Sequence, residues 1–181
     1  MPAFDDLRIE TPRLILRPPR VGDLDAFAEM MRDEQTARFI GGVAPRAVCW
    51  RQLMTIIGAW YATGFGMFSV IERESGRWIG RLGPWQPEGW PGPEIGWAIA
   101  REYWGRGYAV EGAAASARWA FETLGWTEMI HSIAPDNLAS QRVAQKLGST
   151  NRGPGKLPPP FVNDVVEIWG QSRDEWQRRQ G

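Results

Sequence analysis

The sequence predicts a mixed α/β (α+β) domain, and three observations carry that expectation. Two apolar strands, Met67 to Glu72 and Trp78 to Leu82, are joined by the short Arg73-Glu74-Ser75-Gly76 segment, the pattern of an antiparallel hairpin. A long amphipathic stretch, Ala109 to Leu124, stands between two further strands, and strand, helix, strand implies a parallel crossover. Breakers punctuate the chain at each junction. With 181 residues, 43% of them apolar, the chain has the size of one domain and enough apolar material for a full core, so a single unit over residues 1–181 is expected.

The elements follow in order. Leu14 to Arg17 is a short apolar run between Pro12 and Pro18-Pro19 and reads as a strand. Leu24, Phe27, Met30 and Met31 recur at helical spacing after Asp23, a good N-cap. A second helix is expected from Ala47 to Thr63, ending at Gly64. After the hairpin, residues 83–93 interleave Pro84, Pro87, Pro91 and Pro93 with Gly83, Gly89 and Gly92, so they should form a loop with Trp85 and Trp90 partly exposed. Such a loop is either a stiff connector or the wall of a binding site.

Glu94 to Ala100 reads as a strand whose alternation puts Glu94, Gly96 and Ala98 on one face and Ile95, Trp97 and Ile99 on the other. The small residues leave room beside Glu94. The long helix carries its apolar stripe at 110, 113, 114, 117, 121 and 124 and is closed by Gly125. A strand from Glu128 to Ala134, a capped helix from Asn137 to Leu147 and a loop over residues 151–161 come next. A strand from Val162 to Trp169 and a short polar helix near Asp174 to Arg178 complete the chain.

Composition excludes several classes of chemistry. Lys plus Arg and Asp plus Glu are balanced at 21 each, which gives no bulk electrostatic reason to bind nucleic acid or an anionic membrane. Cys49 and His131 are the only residues of their kinds, so no intramolecular disulfide and no conventional Cys/His metal site can form. No stretch approaches the roughly 20 apolar residues of a membrane span, and the first ten residues are mixed and charged, unlike a signal peptide. A soluble cytoplasmic protein without metal is the expectation. The outlying count is 11 Trp against 3 Tyr, which calls for a bulky core or an aromatic-lined groove.

The segment with chemical content is Trp104-Gly105-Arg106-Gly107-Tyr108-Ala109, between a strand and the long helix. A glycine turn there points successive N–H groups outward at the positive end of a helix, a cradle for a pyrophosphate. It lacks the Gly-Lys-Ser/Thr of an ATP loop, and its third glycine is Gly112, too late for a dinucleotide fingerprint. On its own, such a turn is weak evidence, and the alternative for it is a glycine-rich, ligand-free start to a helix.

Four segments in order resemble the GNAT N-acetyltransferase superfamily, more narrowly its RimJ/RimL-like branch of ribosomal-protein N-terminal acetyltransferases. They are Ile9 to Arg17, Glu94 to Trp97 running into Trp104 to Glu111, Asn137 to Ser140 with Lys146-Leu147-Gly148, and Asp174-Glu175-Trp176. The resemblance implies a central, mostly antiparallel sheet of about seven strands, splayed at the acetyl-CoA site and flanked by helices. It implies acetyl-CoA as donor, with its pyrophosphate on the amides of Trp104, Gly105, Arg106, Gly107, Tyr108 and Ala109. The strand Trp97, Ala98, Ile99 would pair with the pantetheine like an added strand, with Asn137 beside it and Ser140 near the sulfur. Without the resemblance, Asn137 is a plain helix cap and Ser140 a first-turn residue. Glu102 departs from the family's Gln/Arg at the head of the turn, and a carboxylate there must point away or pair with Arg101 or Arg106.

The implied reaction is acetyl transfer to a primary amine, on a protein N-terminus or a small molecule, by direct attack. Glu94 is the candidate general base, and the alternative for it is a solvated strand-edge carboxylate. Ser140, or with less support Tyr108, would assist the leaving thiolate. Cys49 reads as buried filler and His131 as a structural imidazole. Trp85 and Trp90 are the candidate acceptor contacts, and a peptide acceptor would use the groove between their loop and residues 151–161. Family members can form homodimers, and no residue fixes that here. The competing class is a non-catalytic acyl-CoA sensor, which needs the turn but no base.

Overall fold

The computed structural model describes Phe4 and residues 6–180; Met1–Ala3, Asp5 and Gly181, and the parts of the N-terminal segment and of the 1–181 unit that they form, lie outside the described residues. The strands are β1 (Ile9–Glu10), β2 (Leu14–Arg17), β3 (Phe68–Glu72), β4 (Trp78–Trp85), β5 (Glu94–Ile99), β6 (Glu128–Ile133), β7 (Thr150–Gly155) and β8 (Val166–Ser172). The helices are α1 (Leu24–Met30), α2 (Glu34–Ala37), α3 (Arg46–Thr63), α4 (Tyr108–Thr123), α5 (Leu138–Leu147) and α6 (Arg173–Gln180). They build one 8-stranded sheet in the order β1-β2-β3-β4-β5-β6-β8-β7. Every neighbouring pair is antiparallel except β5 and β6, which α4 connects as a parallel crossover.

Four details differ from the sequence expectation. β4 runs on through Gly83 to Trp85, although Pro84 lies inside it. Pro84 pairs with Ile95 at a position whose N–H points toward β3, and β3 has already ended there, so the missing donor costs nothing. Residues 151–155 belong to β7 rather than to a loop; Pro154 is tolerated because β7 is the sheet's outer edge and its register shifts between Asn151 and Pro154. The last strand begins at Val166, because residues 162–165 are exposed around a turn in which Asp164 N–H donates to Phe161 O. The two-residue β1 and the single turn α2, capped by the Asp33 carboxylate on Thr36 N–H, are too short for any periodicity to announce.

Helix α4 lies on one face of the sheet with a surface of Gly112, Ala113, Ser116, Ala117 and Ala120, all buried. The small residues permit a close approach: a Cβ on Gly112 would stand 2.5 Å from Leu82 Cδ2. Ile95, Met129, Leu147 and Trp176 fill the core between α4, α5, α6 and the sheet. On the other face, Phe27 and Met31 meet Cys49 and Leu53 of α3 and Ala98 of β5. Tryptophan contributes to both, with Trp60 in T-shaped contact with Phe68 at 5.0 Å and Trp78 near Phe27 at 6.1 Å. The sheet is thus packed on both faces, and its one weak line is between β5 and β6. These two strands pair only at Glu94 and Ile130, where Ile130 N–H donates to Pro93 O at 2.9 Å, and they diverge beyond.

Candidate active site

The divergence leaves β5 with an open edge. Ala100 N–H donates to Ile79 O of β4, so by alternation Glu94, Gly96 and Ala98 turn their peptide groups to β4, and Ile95, Trp97 and Ile99 turn theirs toward β6. Ala98 therefore offers the edge no hydrogen bond, and its place in the expected cofactor strand reduces to backbone spacing. Two edge carbonyls already have donors: His131 Nδ1 reaches Ile95 O at 2.7 Å, and Trp104 Nε1 reaches Ile99 O at 2.7 Å. The N–H and C=O of Trp97 and the N–H of Ile99 face the cleft between the strands.

At the far end of β5 the turn expected from the sequence is present. Gly105 and Gly107 have φ of 74° and 82°, values that a side chain would strain. The first amide of α4 to find a helical acceptor is Glu111, on Gly107 O; among the described residues no protein acceptor takes the amides of Gly105 through Val110. Those N–H groups, on exposed or half-buried residues apart from the buried Tyr108, at the start of a 16-residue helix, form a cradle that fits a pyrophosphate. Arg13 braces the turn, with NH1 donating to Arg106 O at 2.8 Å and Nε to Glu111 Oε2 at 2.6 Å; Thr11 Oγ1 donates to Glu111 Oε1 at 2.6 Å. Burial works to raise the Glu111 carboxyl, but the bonds from Thr11 and Arg13 outweigh it and hold it below its ordinary range. No role for Arg13 or Glu111 could be read from the sequence, because they are 98 residues apart. Glu102 is exposed, Arg101 is paired with Asp33 and Arg106 stacks over Tyr103, so among the described residues the carboxylate stands clear of both arginines.

Across the cleft, α5 begins with the Asn137 carbonyl accepting Ser140 N–H at 3.2 Å, the capping arrangement. Trp97 Nε1 donates to Ser140 Oγ at 3.2 Å, which ties α5 to β5 and leaves the serine its own proton to give. Tyr108 does not reach this place. Its hydroxyl donates to Glu72 Oε1 of β3 at 2.6 Å, and that bond raises its pKa, so its part in the site is its backbone amide.

Glu94 sits at the closed end of the cleft and is buried, not solvated. Trp90 Nε1 donates to its Oε2 at 2.5 Å and Ser132 Oγ to the same atom at 2.9 Å. Burial raises the carboxyl pKa above its ordinary 4.5, against the lowering effect of these donors. Oε1 takes no side-chain donor from the described residues and lies over Gly96, where a Cβ would be 3.6 Å from it and 2.9 Å from Met67 Cε. Ser132 carries no signal in the sequence; only the parallel alignment of β6 brings it to Glu94.

Trp90 also meets Phe161 edge-on at 6.1 Å, and Gly89 lies against Pro158, so the two loops beside Glu94 touch where a peptide groove was expected. Trp85 is the last residue of β4, not part of a loop, and packs half-buried against the core opposite Glu94. His131 is buried, its pKa lowered by burial to about 4, and Ser149 Oγ lies 2.9 Å from Nε2. It is a neutral imidazole that donates through Nδ1 to a carbonyl. Cys49 is buried in the core of the opposite face, and burial raises its thiol pKa.

A split between parallel strands, a free-amide turn at the head of the crossover helix and a buried carboxylate at the base of the split define an acyl-CoA-type transferase fold. Residues 13–150 match the profile of the acetyltransferase (GNAT) domain, and the chain belongs to that family, which transfers acetyl groups from acetyl-CoA to amines. Over 91 residues, 48% of the chain, it is 35% identical to the FsC-acetyl coenzyme A-N(2)-transacetylase of Aspergillus fumigatus, a match spanning 39% of that protein. It is 27% identical to the uncharacterized N-acetyltransferase YnaD of Bacillus subtilis over 87% of this chain and 91% of YnaD. Among solved structures, an acetyltransferase from Agrobacterium tumefaciens superimposes with a TM-score of 0.79 at 28% identity, over 94% of this chain and 97% of that one. A ribosomal-protein-serine acetyltransferase from Vibrio cholerae shares the fold, with a TM-score of 0.77 at 19% identity over 93% of this chain and 98% of that one. Among the described residues no helix is long and apolar enough to cross a membrane.

Proposed function

We propose that this chain, as one domain over residues 1–181, acetylates the primary amine of a small molecule by direct attack, with Glu94 as general base. The observation that carries this reading is the Glu94 carboxylate: buried, raised in pKa, fixed through Oε2 by Trp90 and Ser132, and open at Oε1 above the space that Gly96 leaves. A base that must take a proton from an ammonium is better matched to that task when burial raises its affinity for the proton. The thioester of acetyl-CoA would supply the activated acyl group when bound.

The chain's own groups then have distinct tasks. The amides from Gly105 to Val110, together with the Trp104 indole that pins the turn to Ile99 O, hold the phosphates, and the open edge at Trp97 and Ile99 aligns the pantetheine beside Asn137. Trp97 N–H is positioned to stabilise negative charge on the attacked carbonyl oxygen. Ser140 Oγ, already accepting from Trp97, turns its proton toward the departing sulfur. Trp90 both fixes Glu94 and walls the acceptor side, while Trp85 acts through packing. The contact between the two loops at Trp90 and Phe161 favours a small amine over a protein N-terminus, so the RimJ/RimL likeness is read here as one of fold. The N-acetyl transfer named in the Aspergillus relative is consistent with this chemistry. Balanced charge supports an acceptor other than nucleic acid.

The test is release of free thiol from acetyl-CoA against a panel of small amines and short peptides, for the parent and Glu94→Gln. Turnover with small amines, lost in Glu94→Gln with acetyl-CoA binding intact, is the expected result. Acetyl-CoA binding without turnover on any amine would make the chain a sensor.

A further inference from the structure

Arg81 is a half-buried charged side chain, its Nε wholly enclosed, to which this reading gives no task. It lies in the middle of β4, opposite Ala98 of β5 and Ser69 of β3, and its side chain enters the layer beneath α1 and α3, among Phe27, Leu53, Ile56 and Trp78. A guanidinium in such a place ordinarily has a carboxylate against it, because an uncompensated buried charge is costly. Among the described residues Arg81 makes no ion pair. Its Nε is buried without an acceptor, and NH1 donates to the thioether sulfur of Met67 at 3.0 Å, a weak acceptor for a cation. The Phe27 ring, 5.3 Å from Cζ, offsets part of the cost.

The neighbouring titratable groups do not supply the missing charge. Asp23 is close to Ser69, whose hydroxyl donates to its Oδ2 at 2.7 Å, but Arg17 takes that carboxylate in two bonds of 2.6 and 2.9 Å. Cys49 is held as the neutral thiol by burial. Arg81 itself, lowered by burial to about 10, remains a cation at neutral pH.

Its place relative to Glu94 gives the unpaired charge a meaning. Glu94 and Ala98, the cross-strand partner of Arg81, point to the same face of β5 and are separated by four residues of extended chain, about 13 Å. Met67 lies between: its sulfur accepts from Arg81, and its methyl stands beside Gly96, over which Glu94 Oε1 also lies. The methionine is an unbranched, adaptable side chain, and the cavity at Arg81 holds no more than about one water while it stays there.

We infer that Arg81 anchors an anionic group of the acceptor, a carboxylate carried by the same small molecule whose amine faces Glu94, and that this group displaces the Met67 sulfur. The inference rests on the proposed amine acetylation and narrows its substrate class to amino acids and related amino carboxylates. It also gives a reason for the site to reject polycationic amines, which would bring positive charge to a guanidinium that has no counterion.

The experiment compares ω-amino acids of increasing length (glycine, β-alanine, γ-aminobutyrate, δ-aminovalerate, ε-aminocaproate) with their carboxamides in the thiol-release assay, for the parent, Arg81→Met and Arg81→Lys. The parent should prefer the acids at a favoured length by about 10- to 100-fold in kcat/KM, the worth of a charge-assisted pair. Arg81→Met should lose that preference, with carboxamide rates and acetyl-CoA KM within about twofold of the parent, and Arg81→Lys should keep part of it. Thermal melts check that Arg81→Met is folded, and hexanoate, which has no amine, should raise the Tm of the parent but not of Arg81→Met. Equal parent rates for acids and carboxamides, or an equal loss on both in Arg81→Met, overturn the anchor while leaving amine acetylation standing. If no amine is acetylated but hexanoate protection depends on Arg81, the acetylation reading fails and the anion site stands.

Discussion

The two sides of β5 solve two binding problems with different materials. Toward β6 the strand presents peptide groups: the open edge at Trp97 and Ile99, continued by the free amides of Gly105 to Val110. Toward α1 and α3 it presents a shallow row of small residues, Gly96 and Ala98, flanked by the buried Glu94 carboxylate and by the half-buried Arg81 of β4, whose Nε is buried without an acceptor. Backbone suits a part of a ligand that never varies, since its geometry survives most substitutions. Side chains suit the part that must be selected, because a single exchange re-tunes charge and shape.

The largest effect should come from the side-chain half. Glu94→Gln is expected to lower kcat by about 10²- to 10⁴-fold with acetyl-CoA KM little changed, measured by steady-state thiol release. A matching loss of acetyl-CoA affinity would break the division between the two sides. His131 joins them, because it occupies the edge carbonyl where the strands part. Its folded pKa of about 4 lies below the ordinary 6.5, so its contribution is fully present above pH 6.5 and is lost as pH falls through that range toward 4. Denaturant melts should show about 3 kcal/mol of stability disappearing over that window. A flat profile there would remove His131 as the structural link.

Smaller effects separate the halves further. Gly107→Val places a branched side chain at φ 82° and should raise acetyl-CoA KM by about 10-fold, with acceptor KM unchanged, the reverse of the acceptor-side variants. Trp90→Phe removes a donor that lowers the Glu94 pKa, so the acidic limb of the kcat/KM profile should move to higher pH. Trp85→Phe should move Tm and leave that limb in place, since Trp85, although it stands opposite Glu94 across the ladder, gives the carboxylate no hydrogen bond. If both variants shift the limb alike, the two tryptophans are again one group.

The backbone half was legible in the sequence because it is local. A turn with two glycines, the helix after it and the strand before it lie within residues 94–124, and periodicity places all three. The capping role of Asn137 follows from its position for the same reason. Glu94 was legible as a candidate through the small residues alternating with it. Its environment was not: Ser132 is 38 residues away, and Trp90 reaches it only because the Pro-rich loop folds back under Phe161. Arg81 was passed over inside an apolar strand, although an arginine between Gly80 and Leu82 in a strand packed on both faces is a sign in itself. The strands at Gly83–Trp85 and residues 151–155 were hidden by prolines, whose tolerance depends on which neighbour faces the missing N–H.

By itself, then, the sequence determined the longer strands and helices and their order, the crossover, the free-amide turn and the candidate carboxylate, since each rests on spacing within a few turns of chain; β1, α2 and β7 escaped it. Tertiary structure alone decided that β5 and β6 part after a single paired position, that Arg13 and Glu111 brace the turn across 98 residues, and that an arginine with an enclosed Nε faces a methionine instead of a carboxylate. These are matters of which distant groups share a low-dielectric space, and no local pattern encodes that.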